Sequence, residues 1–362
     1  MDELNDVTGR NDATGANETI DTAPNPREPE WPAFLAMLKA SLAHTDEVGR
    51  AMRLYVLVDT RGYQELDVRL ATVHRLRYAS LWTDTGLEAY TDIAPYLIAF
   101  DRDTLDDESA EQHRLLRQLW LDAVDLHAVT WMWSTWSFDA LDAHLRQYVQ
   151  YRLPNGRAYY LFFFDNHVFD RIRRVWSDAQ TRQFVAPFNE IRYRDRQLDE
   201  VVWRNDAPAV EGAMPAADAA GLSEQQHAKL IELGYPDKLV LKFRETMAAV
   251  VDHLSDVELH DLVVEQLDRA AAHGIVDEIG LLSYVVTGVQ VAPRFDEHPI
   301  VKSCLEAASR GETSVDAALA SIDDATWDAI RDMHERSCWR SVRMRRRPAV
   351  AVGAIAMVLG LS

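Results

Sequence analysis

The sequence predicts an α/β N-terminal lobe, a mixed sheet flanked by helices with a β-hairpin, followed by an all-α C-terminal lobe. Three observations predict it. Compact apolar runs at 54–58 (Leu-Tyr-Val-Leu-Val) and 96–100 (Tyr-Leu-Ile-Ala-Phe) alternate with helical patterns at 65–76 and 110–121, the order of a layered sheet and helices. Pro154-Asn155-Gly156 separates two β-rich stretches, 147–153 and 157–164; Asn-Gly favours the positive φ angles of a tight hairpin turn. Beyond an Ala/Pro/Gly-rich stretch at 207–221 the character turns to short capped helices.

The elements follow in order. Residues 1–30 are rich in Asp, Asn, Thr and Gly without periodicity and read as a disordered acidic arm. A short amphipathic helix is expected at 32–42. The runs at 54–58 and 96–100 are continuous rather than alternating, which suits strands covered on both faces. A helix should follow the hairpin at 165–176. Ser223 with Gln226 and Ser255 with Glu258 have capping-box spacing, with Gly234 and Gly274 placed to close those helices. Leu239, Phe243, Met247, Val250, Val251 and Leu254 recur at helical steps and read as the buried stripe of one amphipathic helix. The predicted division is therefore an arm at 1–30, an α/β domain at 50–205, a linker at 206–221, a helical lobe at 222–335 and a basic, then apolar, tail at 340–362.

Composition narrows the function. The 362 residues carry a formal net charge of −20, which argues against nucleic-acid binding, because that requires clustered cations to displace counterions. The two cysteines, Cys304 and Cys338, sit in no metal-type spacing and read as reduced thiols in a reducing cytosol. The first residues lack the apolar segment of a secretory signal. Arg343, Arg345, Arg346 and Arg347 precede an apolar run at 348–361. As a helix that run reaches roughly 21 Å, short of a bilayer core of about 30 Å. A docked tail is the first expectation there, and contact with a membrane or a partner the second.

Signatures of chemistry are sparse. The chain has no Walker or Rossmann glycine loop and no Gly-x-Ser-x-Gly elbow. The carboxylates of 101–108 resemble a calcium loop, but Asp106 occupies the place of the required glycine. His253 and His260 stand seven apart near Asp256 and Asp261, with Ser255 expected to break the helix between them. Asp165 and His167 have general acid–base chemistry available, yet Asp165 is well placed to cap the following helix. The expectation is no catalytic residue, no metal and no cofactor.

The densest feature is aromatic. Residues 120–170 hold 13 of the 33 aromatic residues. Strand alternation puts Trp131 and Trp133 on one face, and sets Tyr159, Leu161 and Phe163 opposite Phe162 and Phe164. Two apolar faces need cover, by helices or by a partner. Trp131, Trp133, Trp136, Phe162, Phe164 and Asp165 are the candidate partner-binding residues, as anchors of an interface or as core.

An ordered set of motifs carries a resemblance. It runs from Leu-Tyr-Val-Leu-Val-Asp at 54–59 through Tyr-Ala-Ser-Leu-Trp at 78–82, Ala-Pro-Tyr-Leu-Ile at 94–98 and the tryptophans of 131–136. It continues through Leu141 and Leu145, Arg-Leu-Pro-Asn-Gly at 152–156 and Phe-Phe-Asp at 163–165, then to 280–291 and Phe-Asp-Glu-His-Pro at 295–299. Over about 52–320 the chain resembles the bacterial type VI secretion effector chaperones, or effector adaptors. Two places depart from that pattern: Phe162 stands where such proteins usually have Arg, and Asn166 where Pro usually follows the Asp. The resemblance implies a cytoplasmic, non-enzymatic protein. Its partners would be a toxic effector and the secretion spike, the valine-glycine-repeat protein or its PAAR tip. Two other readings stand beside it. One is a metal-dependent hydrolase or toxin-like enzyme using Asp165 and His167. The other is a membrane-associated scaffold using the tail from Arg343 to Leu361.

Overall fold

The structure is a computed structural model that describes residues 27–45, 49–63, 65–100, 102–122, 127–212 and 221–345. The expected arm at 1–26, most of the expected linker (213–220) and the tail from 346 lie outside the described residues. Residues 27–30, expected as part of the arm, are built into the fold. They form a 3-10 turn at Glu28–Glu30, and the Arg27 guanidinium lies 4.2 Å from the Trp120 ring.

Chain order is as follows. Helix α1 is Trp31–Leu42, strand β1 Arg53–Asp59, α2 Leu66–Thr72, β2 Arg77–Ser80 and β3 Pro95–Phe100. Then come α3 Glu111–Asp122, β4 Val129–Ser134 and α4 Phe138–Arg146. The hairpin is β5 Gln150–Arg152 and β6 Ala158–Tyr160, followed by α5 Asn166–Val175 and α6 Asp178–Val185. Strands β7 Glu190–Arg194 and β8 Glu200–Arg204 complete the β structure. The remainder is helical: α7 Glu224–Leu233, α8 Tyr235–Thr246, α9 Ala248–Val251, α10 Asp256–Ala272, α11 Glu278–Gln290, α12 Pro299–Ser309, α13 Val315–Ala320 and α14 Asp324–Arg345.

Two compact units result. The first comprises Met1–Arg146, Val185–Arg194 and Glu200–Pro215; the second comprises Gln147–Phe184, Asp195–Asp199 and Ala216–Ser362. The hairpin, α5 and most of α6 thus group with the C-terminal helices, and so does the short β7–β8 connection.

The first unit is built on a six-stranded sheet of order β2-β3-β1-β4-β7-β8. The predicted fold class holds with one refinement: every described pairing is antiparallel, so the sheet is not mixed. The two continuous apolar runs are β1, one of its two central strands, and the neighbouring β3. β4 is buried at every position and β1 at all but Arg53. That requires cover on both faces. Register places Leu54, Val56, Trp131 and Trp133 on one face. There α1 brings Phe34 to within 5.3 Å of the Trp131 ring, and Phe34 also stacks on Trp120 of α3 at 5.2 Å. On the other face Tyr55 meets Phe138 of α4.

In the second unit the hairpin is found where expected, with Gly156 at φ 83° and its N–H donating to the Leu153 carbonyl at 2.9 Å. Its strands are shorter than expected, three residues each, and form a separate two-stranded sheet. Both capping boxes are present. The expected single helix through Leu239 and Leu254 is broken at Met247, between α8 and α9. The stripe still converges: Leu239, Val240, Phe243 and Val251 pack with Leu259, Val263 and Val285, while Met247, Val250 and Leu254 lie against that cluster. A second cluster joins Tyr284, Phe295, Val301, Leu305, Leu319 and Ile330.

Candidate functional site

Four of the six candidate anchors are core side chains. Trp131 is 6% exposed, Trp133 2%, Trp136 5% and Phe164 1%. Phe162 is half-buried. In this conformation an external partner therefore meets little of the aromatic set, whose area is used to build the protein itself.

The three tryptophans belong to the first unit and each has a local reason for its place. Trp131 lies under α1. Trp133 carries the Arg192 guanidinium 5.3 Å from its ring centre. Trp136 follows the end of β4, where its Nε1–H donates to the Ala209 carbonyl at 2.7 Å and its own carbonyl accepts the Tyr55 hydroxyl at 2.6 Å. Next to it, the Ser137 N–H and hydroxyl both donate to Glu211, and Arg50 lies 3.5 Å from the same carboxylate. Residues 209–211 are thereby tied to the end of the central strand.

Phe162, Phe164 and Asp165 belong to the second unit. β6 stops at Tyr160, so strand alternation does not extend to 161–164. Phe163 and Phe164 are both buried. Phe163 joins Tyr148, Phe169, Trp176 and Phe184, with Tyr148 and Phe184 at 4.9 Å edge to face. Phe162 packs on Phe164 at 5.4 Å. Asp165 caps α5, accepting the N–H of His167 at 2.9 Å and of Val168 at 3.4 Å. His167 Nδ1 lies 3.6 Å from the same carboxylate. A carboxylate engaged in a cap is poorly placed to act as a general base.

Sequence reasoning missed a charged cluster centred on Asp237 of α8. Arg171 of α5 meets one carboxylate oxygen at 2.9 Å and Arg196 of the β7–β8 connection meets the other. His260 of α10 lies 3.9 Å away, and Gln197 donates to Asp261 at 3.2 Å. Burial lowers the Arg196 pKa and Asp237 opposes that shift; Asp165 also contributes attraction. Burial, then the positive charge of Arg196, lowers the His260 pKa. Arg196 thus supplies a cation near Asp165, whereas Phe162 carries none. Arg171, Arg196 and His260 lie 66, 41 and 23 residues from Asp237 in the chain, so no local spacing announces them. The cluster offers two guanidiniums to one carboxylate, the chemistry of an ionic clamp.

A metal reading finds no donor set here: among the described residues no group of three or more His, Cys, Asp or Glu is arranged to hold an ion. Around the calcium-like stretch, Asp106 pairs with Lys39 at 2.6 Å and Asp107 accepts from the Ser109 N–H; Asp101 lies outside the described residues. His253 precedes the cap of α10 and His260 follows it, separated by Ser255 as expected.

With this geometry in place, comparison adds one finding. Residues 54–183 match the family model DUF4123, a domain of unknown function. The match begins in β1, takes in β4, the hairpin and α5, and ends in α6. It therefore contains all six candidate residues, and leaves α1, the β7–β8 pair and the helices from α7 onward outside. No curated protein and no solved structure matches the chain.

Proposed function

We propose that the protein is a non-enzymatic adaptor of type VI secretion, holding a toxic effector in the cytoplasm and passing it to the spike, the valine-glycine-repeat protein or its PAAR tip. The observation that carries this reading is the match of residues 54–183 to DUF4123, over the stretch whose ordered motifs resemble the effector chaperones. The geometry supports binding rather than chemistry. Asp165, the residue the enzyme reading uses, is engaged in a helix cap, and Arg196, whose charge acts on it, is paired with Asp237.

The contact surface in this reading differs from the buried tryptophans. In the second unit Leu241 on α8 and Ile279 and Leu282 on α11 are 63%, 72% and 40% exposed, with Val276 just before α11 at 83%. Lys238 of α8 and Glu278 of α11 lie 3.4 Å apart. Exposed apolar side chains on these helices are the candidates for a partner contact.

The test is co-purification of the full chain with the product of the effector gene beside its own. A stable complex that passes to the spike protein supports the reading. Absence of any complex between two folded proteins overturns it. Hydrolytic activity lost in a folded Asp165→Ala variant would favour the enzyme instead.

A further inference from the structure

We propose that strand β8 is a self-pairing edge, through which two copies of this chain join their sheets antiparallel about a two-fold axis. The proposal is independent of the adaptor reading. Strand β8, Glu200–Arg204, ends the six-stranded sheet, and among the described residues no strand lies beyond it. It belongs wholly to the first unit. Its sequence, Glu-Val-Val-Trp-Arg, contains neither Pro nor Lys, two residues by which edge strands are commonly blocked. Glu200, Val202 and Arg204 are exposed, and Val201 and Trp203 are half-buried.

The hydrogen bonds that flank the β7–β8 pairing set the direction of its backbone groups. The Asp195 N–H donates to the Asp199 carbonyl and the Asn205 N–H to the Asn189 carbonyl, each at 3.0 Å. Between them Ile191 lies opposite Trp203, Arg192 opposite Val202 and Tyr193 opposite Val201. Bonded and non-bonded pairs alternate along an antiparallel ladder. Val201 and Trp203 therefore bond toward β7, and the N–H and C=O groups of Glu200, Val202 and Arg204 point away from it. These are the exposed positions of the strand. They form a row of donors and acceptors open to another strand.

Charge selects the occupant. In an antiparallel pair centred on Val202, Glu200 of each copy lies opposite Arg204 of the other, and Val201 lies opposite Trp203. The outward groups of Glu200, Val202 and Arg204 then bond one another in register. Both kinds of contact are favourable across strands: opposite charges, and an aromatic beside a β-branched side chain. Sliding the pair by two residues loses both Glu–Arg contacts. Sliding it by four sets Glu200 against Glu200 or Arg204 against Arg204. The strand itself thus singles out one register, with the self-complementarity that a two-fold interface demands. Within one chain Glu200 lies 3.8 Å from Arg192 and Arg204 lies 3.0 Å from Glu190, so β7 steadies both charges while they stay exposed. The net charge of −20 per chain opposes association. At physiological salt a Debye length of about 8 Å screens that general repulsion more than the close contacts of the edge.

The experiment is sedimentation velocity of the full chain over a range of concentrations at physiological salt. The expected result is a monomer that passes to a dimer as concentration rises. Val202→Pro removes an outward N–H without touching the bonds to β7 and should abolish the dimer. Glu200→Arg turns both Glu–Arg contacts into like-charge contacts and should weaken the dimer by about tenfold or more. Adding Arg204→Glu to Glu200→Arg restores opposite charges and should recover it. Thermal melting followed by circular dichroism checks that each variant is folded, since both side chains also contact β7. A full chain that is monomeric at every concentration overturns the proposal. So does a dimer indifferent to Val202→Pro, which places the contact elsewhere, and so does a folded double variant that stays as monomeric as the single one, which removes the register. A monomer whose effector co-purification is lost on Val202→Pro would assign the edge to a strand of the effector instead. Effector co-purification by the full chain reports on the adaptor reading separately.

Discussion

Trp133 shows how one residue type supports two opposite readings. Its place in an aromatic-rich strand is compatible with an interface anchor and with core, and burial of all but 2% of its surface decides for core. Trp133→Ala should destabilise the protein by about 3–5 kcal/mol, read as a lowered urea midpoint; an unchanged midpoint would return the residue to the surface. Gly288 makes a related point at smaller scale. A Cβ there would land on the carboxamide of Gln266, a fully buried side chain whose Nε2 donates to the Pro293 carbonyl at 3.0 Å. Helices α10 and α11 approach closely because this position has no side chain. Gly288→Ala, which would stabilise an exposed helix, should here lower the melting temperature. Asp165 was readable in advance because a cap acts on the N–H groups two and three residues on. Arg196 was not, because its partner Asp237 is 41 residues away.

At the scale of elements, most local signals were legible. The hairpin turn, both capping boxes and the apolar runs of β1 and β3 follow from chemistry within a few residues. The break at Met247 does not: the stripe from Leu239 to Leu254 keeps helical spacing across it, and a bend that preserves burial leaves no mark in periodicity. The Phe-Asp-Glu-His-Pro segment at 295–299 shows an element held by distant charge. Asp296 is buried and accepts from Arg269 at 3.1 Å and His273 at 2.9 Å, which ties the turn after α11 to α10. Burial alone would raise its pKa; hydrogen bonds from Arg269 and then His273 outweigh it and hold the carboxyl below its ordinary value. The sign follows from linkage: a lowered folded pKa adds stability that is complete above the ordinary carboxylate range and disappears as pH falls through the folded value. Asp296→Asn should cost about 3–5 kcal/mol at neutral pH, the scale of breaking a buried pair. Urea titrations repeated at decreasing pH should show the gap between the two proteins close in acid. A gap independent of pH would assign the loss to packing.

At the scale of the whole molecule, the chain does not divide at a single linker. It leaves the sheet unit after Arg146, returns at Val185, departs again for Asp195–Asp199 and finally after Pro215. Interaction surfaces are likewise a property of the folded units. Burial removes Trp131, Trp133, Trp136 and Phe164 from the surface and leaves Leu241, Ile279 and Leu282 on it. In the adaptor reading, Ile279→Asp with Leu282→Asp should abolish effector co-purification while leaving the melting temperature nearly unchanged, since exposed positions contribute little to stability. Retained binding would move the contact elsewhere.

By itself the sequence determined the fold class, the position of the hairpin, the helix caps and the ordered motifs of the stretch matched by DUF4123, because each depends on residues close together in the chain. Only the tertiary structure decided that the sheet is antiparallel throughout, that the hairpin joins the helices, that the aromatic stretch is chiefly core and that Arg171, Arg196 and His260 gather around Asp237. Strand direction, burial and ionic contact are set by residues far apart in sequence, and those partners become neighbours only when the chain has folded.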